Sequence, residues 1–183
     1  MKKIFLSTLM IAAITFMLVS CKKGEKVENI VTYDGSVMIY TSLKEEEIKE
    51  IKNVFETKYK GVLIDYFFSD ADSIKEILEE DHELDNMPNA DVIFATNDDC
   101  FEEYDSKVWL ESYESPELKN VDENYKNSKG NYYTACITED GDNMSIALLK
   151  DCLNVDNGKL LIDFILSNEG QAILAKHHYK TVK

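Results

Sequence analysis

A short unbroken apolar run, a polar break, then apolar residues at every third or fourth position: this succession opens the folded part of the chain and then recurs. Val37, Met38, Ile39 and Tyr40 are continuous apolar positions, the pattern of a strand covered on both faces. Thr41 and Ser42 end the run, and Ser42 with Glu45 has the spacing of a capping box. The helix expected next sets Ile48, Ile51, Phe55 and Tyr59 on one stripe with lysines and glutamates opposite. Gly61 stands where a left-handed residue would stop it. Val62 to Phe68 reads as a second strand, Ser69-Asp70 as a cap, and the next helix turns Ala71, Ile74, Ile77 and Leu78 inward. After a polar turn around Asn86 to Asn89, Asp91-Val92-Ile93-Phe94 forms a third strand that leads to Thr96-Asn97 and an acidic helix start at Asp98-Asp99. Strand, helix, strand, helix, strand predicts a parallel sheet with right-handed crossovers.

Past Trp109-Leu110 the periodicity weakens. Residues 111 to 129 read as loop with a short helix, Tyr132 to Ile137 alternates like a strand, and Met144 to Leu149 is another apolar strand. Two helices close the chain. The first carries Leu160, Leu161, Phe164 and Ile165; the second starts after Ser167 with Glu169 and carries Ile173 and Leu174.

The first residues follow a different rule. Lys2 and Lys3 precede an apolar run from Ile4 to Val19, shorter than the roughly 20 residues a membrane-spanning helix needs. Residues 1–20 therefore read as a signal peptide. Leu18-Val19-Ser20-Cys21 resembles the lipobox of bacterial lipoproteins, which implies cleavage before Cys21, acylation of that cysteine (palmitate among its acyl groups) and a membrane anchor. Two or more acyl chains hold stably, at about 0.8 kcal/mol per buried methylene. Residues 21–35 then serve as a polar tether, and residues 36–183 form one domain.

Charge narrows the partners. Acidic side chains outnumber basic ones 35 to 20, a net charge of -15, and every basic residue is lysine. No basic stripe is present to displace counterions from phosphates, which excludes nucleic acid. The two lysines of the signal are lost with it, so the exported body is more acidic still and is repelled by anionic headgroups. Once Cys21 is acylated, Cys100, Cys136 and Cys152 remain, an odd number that permits one disulfide or three small buried hydrophobes. No metal-type spacing, HExxH, GxSxG or phosphate-cradling glycine loop occurs, so neither catalysis, nor a metal, nor a cofactor is expected.

In an open parallel sheet a ligand binds outside the carboxyl ends of the strands. Those ends place Thr41, Ser42, Ser69, Asp70, Thr96 and Asn97 together as candidate ligand-binding residues. Without arginine there is no bidentate clamp for a carboxylate or phosphonate, and Lys44 is the one basic residue nearby. Glu45, Glu46, Glu47, Asp70, Asp72, Asp98 and Asp99 crowd the helix starts and favour a small cationic or neutral polar solute. The same acids also complement helix dipoles, and Ser42, Ser69 and Asn97 also suit caps.

Val37 to Glu45, Phe55 to Gly61, Ala90 to Phe94, and Asp163 to Gln171 with Tyr179 are, in that order, similar to the extracellular solute-binding proteins of ABC importers. The branch is the one that includes ferric-iron, aminoethylphosphonate and polyamine or thiamine binders. The resemblance spans most of residues 36–138 and 142–183. It implies an α/β fold with a mostly parallel central sheet flanked by helices, a small-molecule solute, an ABC transporter permease as partner, and a place on the outer side of a bacterial membrane. Members of this family are clamshells whose chain leaves the first lobe, builds a second and returns. Here Tyr133 to Ile137 is followed within a few residues by the apparent return strand, so a single periplasmic-binding-protein-like lobe is expected. Iron held in the family manner is not, because Leu43 and Asn97 stand where the resemblance implies a histidine and an acid. The alternative function is a degenerate one-lobe lipoprotein acting as a surface scaffold or protein-interaction module.

Overall fold

A computed structural model describes residues 33–84, 87–96, 98–126 and 130–183. The signal peptide, Cys21, most of the tether and Asn97 lie outside the described residues.

The first strand, β1 (Gly35–Thr41), is followed by helix α1 (Glu45–Lys58), strand β2 (Val62–Phe68), helix α2 (Ala71–Leu84), strand β3 (Val92–Thr96) and helix α3 (Asp98–Ser106). A two-residue strand β4 (Leu110–Glu111) and two 3₁₀ turns lead to β5 (Tyr133–Ile137), β6 (Asn143–Leu149), helices α4 (Val155–Leu166) and α5 (Asn168–Lys176), and a terminal β7 (Lys180–Thr181). The strands form one sheet in the order β2-β1-β3-β6-β5-β7, with β4 also on β6.

The expected α/β lobe with flanking helices is present, and its sheet is mixed. β1 pairs in parallel with β2 and with β3, as the alternation of strands and helices requires. From β3 onward every pairing is antiparallel. The reason is local: β5 and β6 are joined by the hairpin 138–142, closed by Thr138 N–H to the Asp142 carbonyl at 2.9 Å, and so short a connection reverses the chain.

Successive residues Ile39, Tyr40 and Thr41 of β1, and all of Val92 to Ala95, are buried, so both faces of β1 and β3 are covered. On one face α1, α4 and α5 pack together, with Phe55 of α1 edge-to-face on Phe164 of α4 at 5.5 Å. On the other, α2 lies over β1, where Asp81 accepts a hydrogen bond from Tyr40; burial and that carboxylate push the Tyr40 hydroxyl up to about 12. Cys100, Cys136 and Cys152 are all buried thiols outside any disulfide, and burial raises each of them.

One cap differs from expectation. The residue preceding α1 is Lys44, and the carboxylate that reaches back to it is Glu47, whose Oε2 accepts from the Lys44 backbone N–H at 2.9 Å. Ser42 lies two residues too early to cap this helix, and its hydroxyl serves the sheet instead. The starts of α2 and α5 follow the sequence pattern: Asp70 accepts from Ser73 N–H at 2.9 Å, and Ser167 accepts from Gly170 N–H at 3.2 Å.

Candidate functional site

Because β2, β1 and β3 run in register, their carboxyl ends finish level. Thr41 lies opposite Phe68 on one side and Phe94 on the other. Three cross-links then tie the tips together: Ser69 N–H donates to the Thr41 carbonyl at 3.1 Å, Ser42 N–H to the Phe94 carbonyl at 3.1 Å, and Thr96 N–H to Ser42 Oγ at 2.9 Å. Five of the six candidate residues, Thr41, Ser42, Ser69, Asp70 and Thr96, thus share one rim; Asn97 lies outside the described residues.

Their roles within the rim separate. The Thr41 hydroxyl is fully buried, donates to the Phe94 carbonyl at 2.7 Å and accepts from Leu43 N–H at 3.1 Å. It holds the turn between β1 and α1. Ser42, Ser69 and Thr96 are half-buried and Asp70 is exposed, so these four line the open side. Two hydrogen bonds from Ser73 hold the Asp70 carboxyl below its usual range and keep it ionised.

The hairpin 138–142 stands at the same edge, since Thr96 and Cys136 both face Met144 from either side of β6. It brings three further exposed acids, Glu139, Asp140 and Asp142, to the rim. Between this hairpin, the start of α1 and the turn after α5 lies a concavity of about 300 Å³ lined by Lys44, Glu47, Thr138, Glu139, Asp140 and residues 177–179. At its base Glu47 is almost fully buried, accepting from Tyr179 Oη at 2.8 Å as well as from Lys44 N–H, with Lys44 Nζ 3.9 Å from its second oxygen. Burial and this carboxylate both push the Tyr179 hydroxyl upward.

Beside it His177 Nε2 lies 3.0 Å from Glu50, which also takes Lys176 at 2.8 Å; hydrogen bonds from Lys176 and His177 hold the Glu50 carboxyl below its ordinary value. His178 is exposed. Among the described residues no three His, Cys, Asp or Glu side chains are placed to share a metal ion.

The concavity and the Glu47–Tyr179 pair were not legible as a site. Glu47 reads as one acid among several at a helix start, and its partner is 132 residues away. The one available signal was the polar side of α1, where Glu47 directly precedes the buried Ile48.

The mixed sheet with its flanking helices has the fold of a periplasmic-binding-protein-like lobe. Among solved structures, the periplasmic binding protein AfuA from Actinobacillus pleuropneumoniae, with fructose-6-phosphate bound, superposes with a TM-score of 0.71 at 16% identity, over 81% of this chain and 85% of that one. The substrate-binding protein of an ABC transporter from Agrobacterium tumefaciens gives 0.71 at 10% identity, over 81% and 80%. The Trichodesmium protein IdiA (FutA), in complex with iron and citrate, gives 0.68 at 9% identity, over 81% and 86%. No family model matches the sequence, and neither does any curated protein.

Proposed function

We propose that this chain is an exported, lipid-anchored solute-binding lobe of the kind that serves ABC importers. Its ligand is a small polar or cationic solute held at the carboxyl-end rim by Ser42, Ser69, Asp70, Thr96 and Asn97. The observation that carries this is the level, cross-linked row of polar strand tips, with Thr41 in register between Phe68 and Phe94. A rim fixed by its own backbone presents its polar groups without reorganisation. Its exposed acids oppose an anion and attract a cation. Cys21 as the lipid anchor, an ABC permease as the partner and the outer face of a bacterial membrane as the location belong to the same proposal, supported by the lipobox resemblance and by solved structures of periplasmic proteins with this fold.

The test is thermal unfolding of the chain from Lys22 onward against polyamines, thiamine, phosphonates, sugars and metal salts. A true ligand at 100 times its dissociation constant adds about 2.7 kcal/mol, a rise of about 5–10 °C for a protein of this size. Ser69→Ala and Thr96→Val should weaken that rise without lowering the ligand-free midpoint by a similar amount. A flat response to the whole panel sinks solute binding.

A second function is favoured by one specific feature. β5 passes to β6 through a hairpin of five residues, at the place where the two-lobed proteins described above would leave for a second lobe. A lone lobe leaves its ligand face open to water and binds less strongly than a closed cleft. On this reading the protein works as a one-lobed scaffold that meets other proteins. It predicts no thermal shift with any small solute.

A further inference from the structure

Large apolar side chains lie in the open at seven described positions, and three of them, Leu63 (56% exposed), Phe67 (36%) and Phe68 (46%), belong to β2. β2 is the terminal strand of the sheet. By strand alternation Leu63 and Phe67 share one face, on which Phe67 leans edge-on against Tyr40 at 5.5 Å. Phe68 projects from the other face at the strand's last residue, 6.5 Å from Tyr66. Such a grouping on a strand edge marks an interaction surface.

The backbone decides how a partner can approach. At Ile64 the N–H donates to Glu56 Oε1 at 2.8 Å and the carbonyl accepts from Lys52 Nζ, while Val62 N–H is held by the Tyr59 carbonyl at 3.1 Å. The first half of the edge is thus closed by the chain's own groups. A partner strand cannot add along it, so contact there must be made through side chains.

Charge decides which partner. Asp65, Asp70 and Asp72, all within five residues of Phe67 along the chain, are exposed, whereas Lys49 of α1 is already paired with Glu45 at 2.6 Å. A second copy, or an anionic bilayer, would bring like charge to this surface. We propose that the outer edge of β2 docks a cationic amphipathic segment of another protein, its apolar side chains covering Leu63, Phe67 and Phe68 along the strand and its basic residues meeting the exposed acids. This goes beyond solute binding and stands whether or not a solute occupies the rim.

The probe is a synthetic amphipathic peptide of leucine and lysine, set beside an isomorphous leucine and glutamate peptide and oligolysine. Each is titrated into the full chain in neutral maltoside micelles, with empty micelles subtracted. The leucine–lysine peptide should bind, more weakly as salt rises, and protect amides between Val62 and Asp72 from hydrogen exchange. Leu63→Ser with Phe68→Ser, which leaves Phe67 against Tyr40, should weaken it at least tenfold, and Phe67→Ser should act in the same direction. The leucine–glutamate peptide should not bind. Equal binding to wild type and to the double variant, binding equal to that of oligolysine, or protection elsewhere would overturn the proposal. So would a concentration-dependent dimer that the double variant abolishes, since the occupant would then be a second copy.

Discussion

At the scale of single residues, the side chain that does most to fix the rim is one that never reaches it. Asp91, 2% exposed, precedes β3. Its carboxylate accepts from Met38 N–H at 2.8 Å, Asn154 N–H at 2.8 Å and Asn154 Nδ2 at 3.1 Å, while its own N–H and carbonyl bond Met38 and Leu149. One residue therefore joins β1, β3, β6 and the start of α4, and so sets the register that levels the strand tips. Asp91→Ala strands two shielded backbone N–H groups at about 1–3 kcal/mol each. A loss of roughly 2–6 kcal/mol is expected in urea unfolding, with Asp91→Asn milder because one oxygen still accepts. Gln171 plays a comparable part, donating to the Ala135 and Ile165 carbonyls and accepting from Val182 N–H. Neither role could be read from the sequence. Asp91 and Gln171 stood out as parts of similar segments, but their partners are 53 to 63 and 6 to 36 residues away, and periodicity carries no information about such pairings.

Elements are where the sequence spoke most clearly, and where helix surfaces decide what can be changed. β1 and β3 announced themselves as unbroken apolar runs because both of their faces are covered, and α1 and α5 as stripes because only one face is. The two-residue β4 carried no pattern long enough to show. On the second face, α2 and α3 are clasped by ions: Glu103 of α3 lies 2.6 Å from Lys75 of α2 and 2.6 Å from Lys107, which also reaches Glu79 at 3.1 Å. The two lysines pull the Glu103 carboxyl down to about 2. A carboxyl whose value is lower folded than unfolded stabilises the fold when ionised, so its contribution is complete above the ordinary glutamate range and fades as pH falls toward about 2. The gap between wild type and Glu103→Gln in denaturant midpoint should accordingly be constant near neutrality, close toward pH 2 and shrink in high salt, because the pair is partly exposed. Helix packing gives a sharper contrast. A β-carbon on Gly170 would come within 2.2 Å of the Phe164 carbonyl oxygen and 2.6 Å of that of Ile165, both backbone, where α4 turns into α5. One on Gly158 would meet the end of the Leu148 side chain at 2.5 Å. Backbone cannot step aside and a leucine methyl partly can, so Gly170→Ala should lose more than about 3 kcal/mol and Gly158→Ala about 1–3 kcal/mol. Similar losses for the two would mean that the α4–α5 corner is softer than its geometry.

For the molecule as a whole, the decisive feature is where the chain turns back. The parallel half of the sheet delivers its tips to one edge, and the hairpin between β5 and β6 lies on that same edge, projecting past the last cross-strand pair, Ile137 with Asn143. Its outer residues Glu139, Asp140 and Gly141 are exposed, Gly141 takes the left-handed backbone φ of 95° that lets the chain reverse, and a β-carbon added there would meet nothing within 4 Å. The turn's hydrogen bonds are made by Thr138, Gly141 and Asp142 among themselves and not to the lobe. The sheet is complete on either side of it, and no core residue lies within it. An excursion of the chain from this point would disturb only the turn's own bonds, since exposed loop tips tolerate inserted domains when their backbone bears no load. A small, stable foreign domain whose termini lie close together, placed between Asp140 and Gly141 on short glycine–serine linkers, should therefore leave the lobe's thermal midpoint within a few degrees of the parent. The added loop closure costs only about 0.6 kcal/mol per doubling of length. Differential scanning calorimetry of the fusion resolves this as two transitions, one for each part. Collapse of the lobe's transition would show that the hairpin holds β5 to β6.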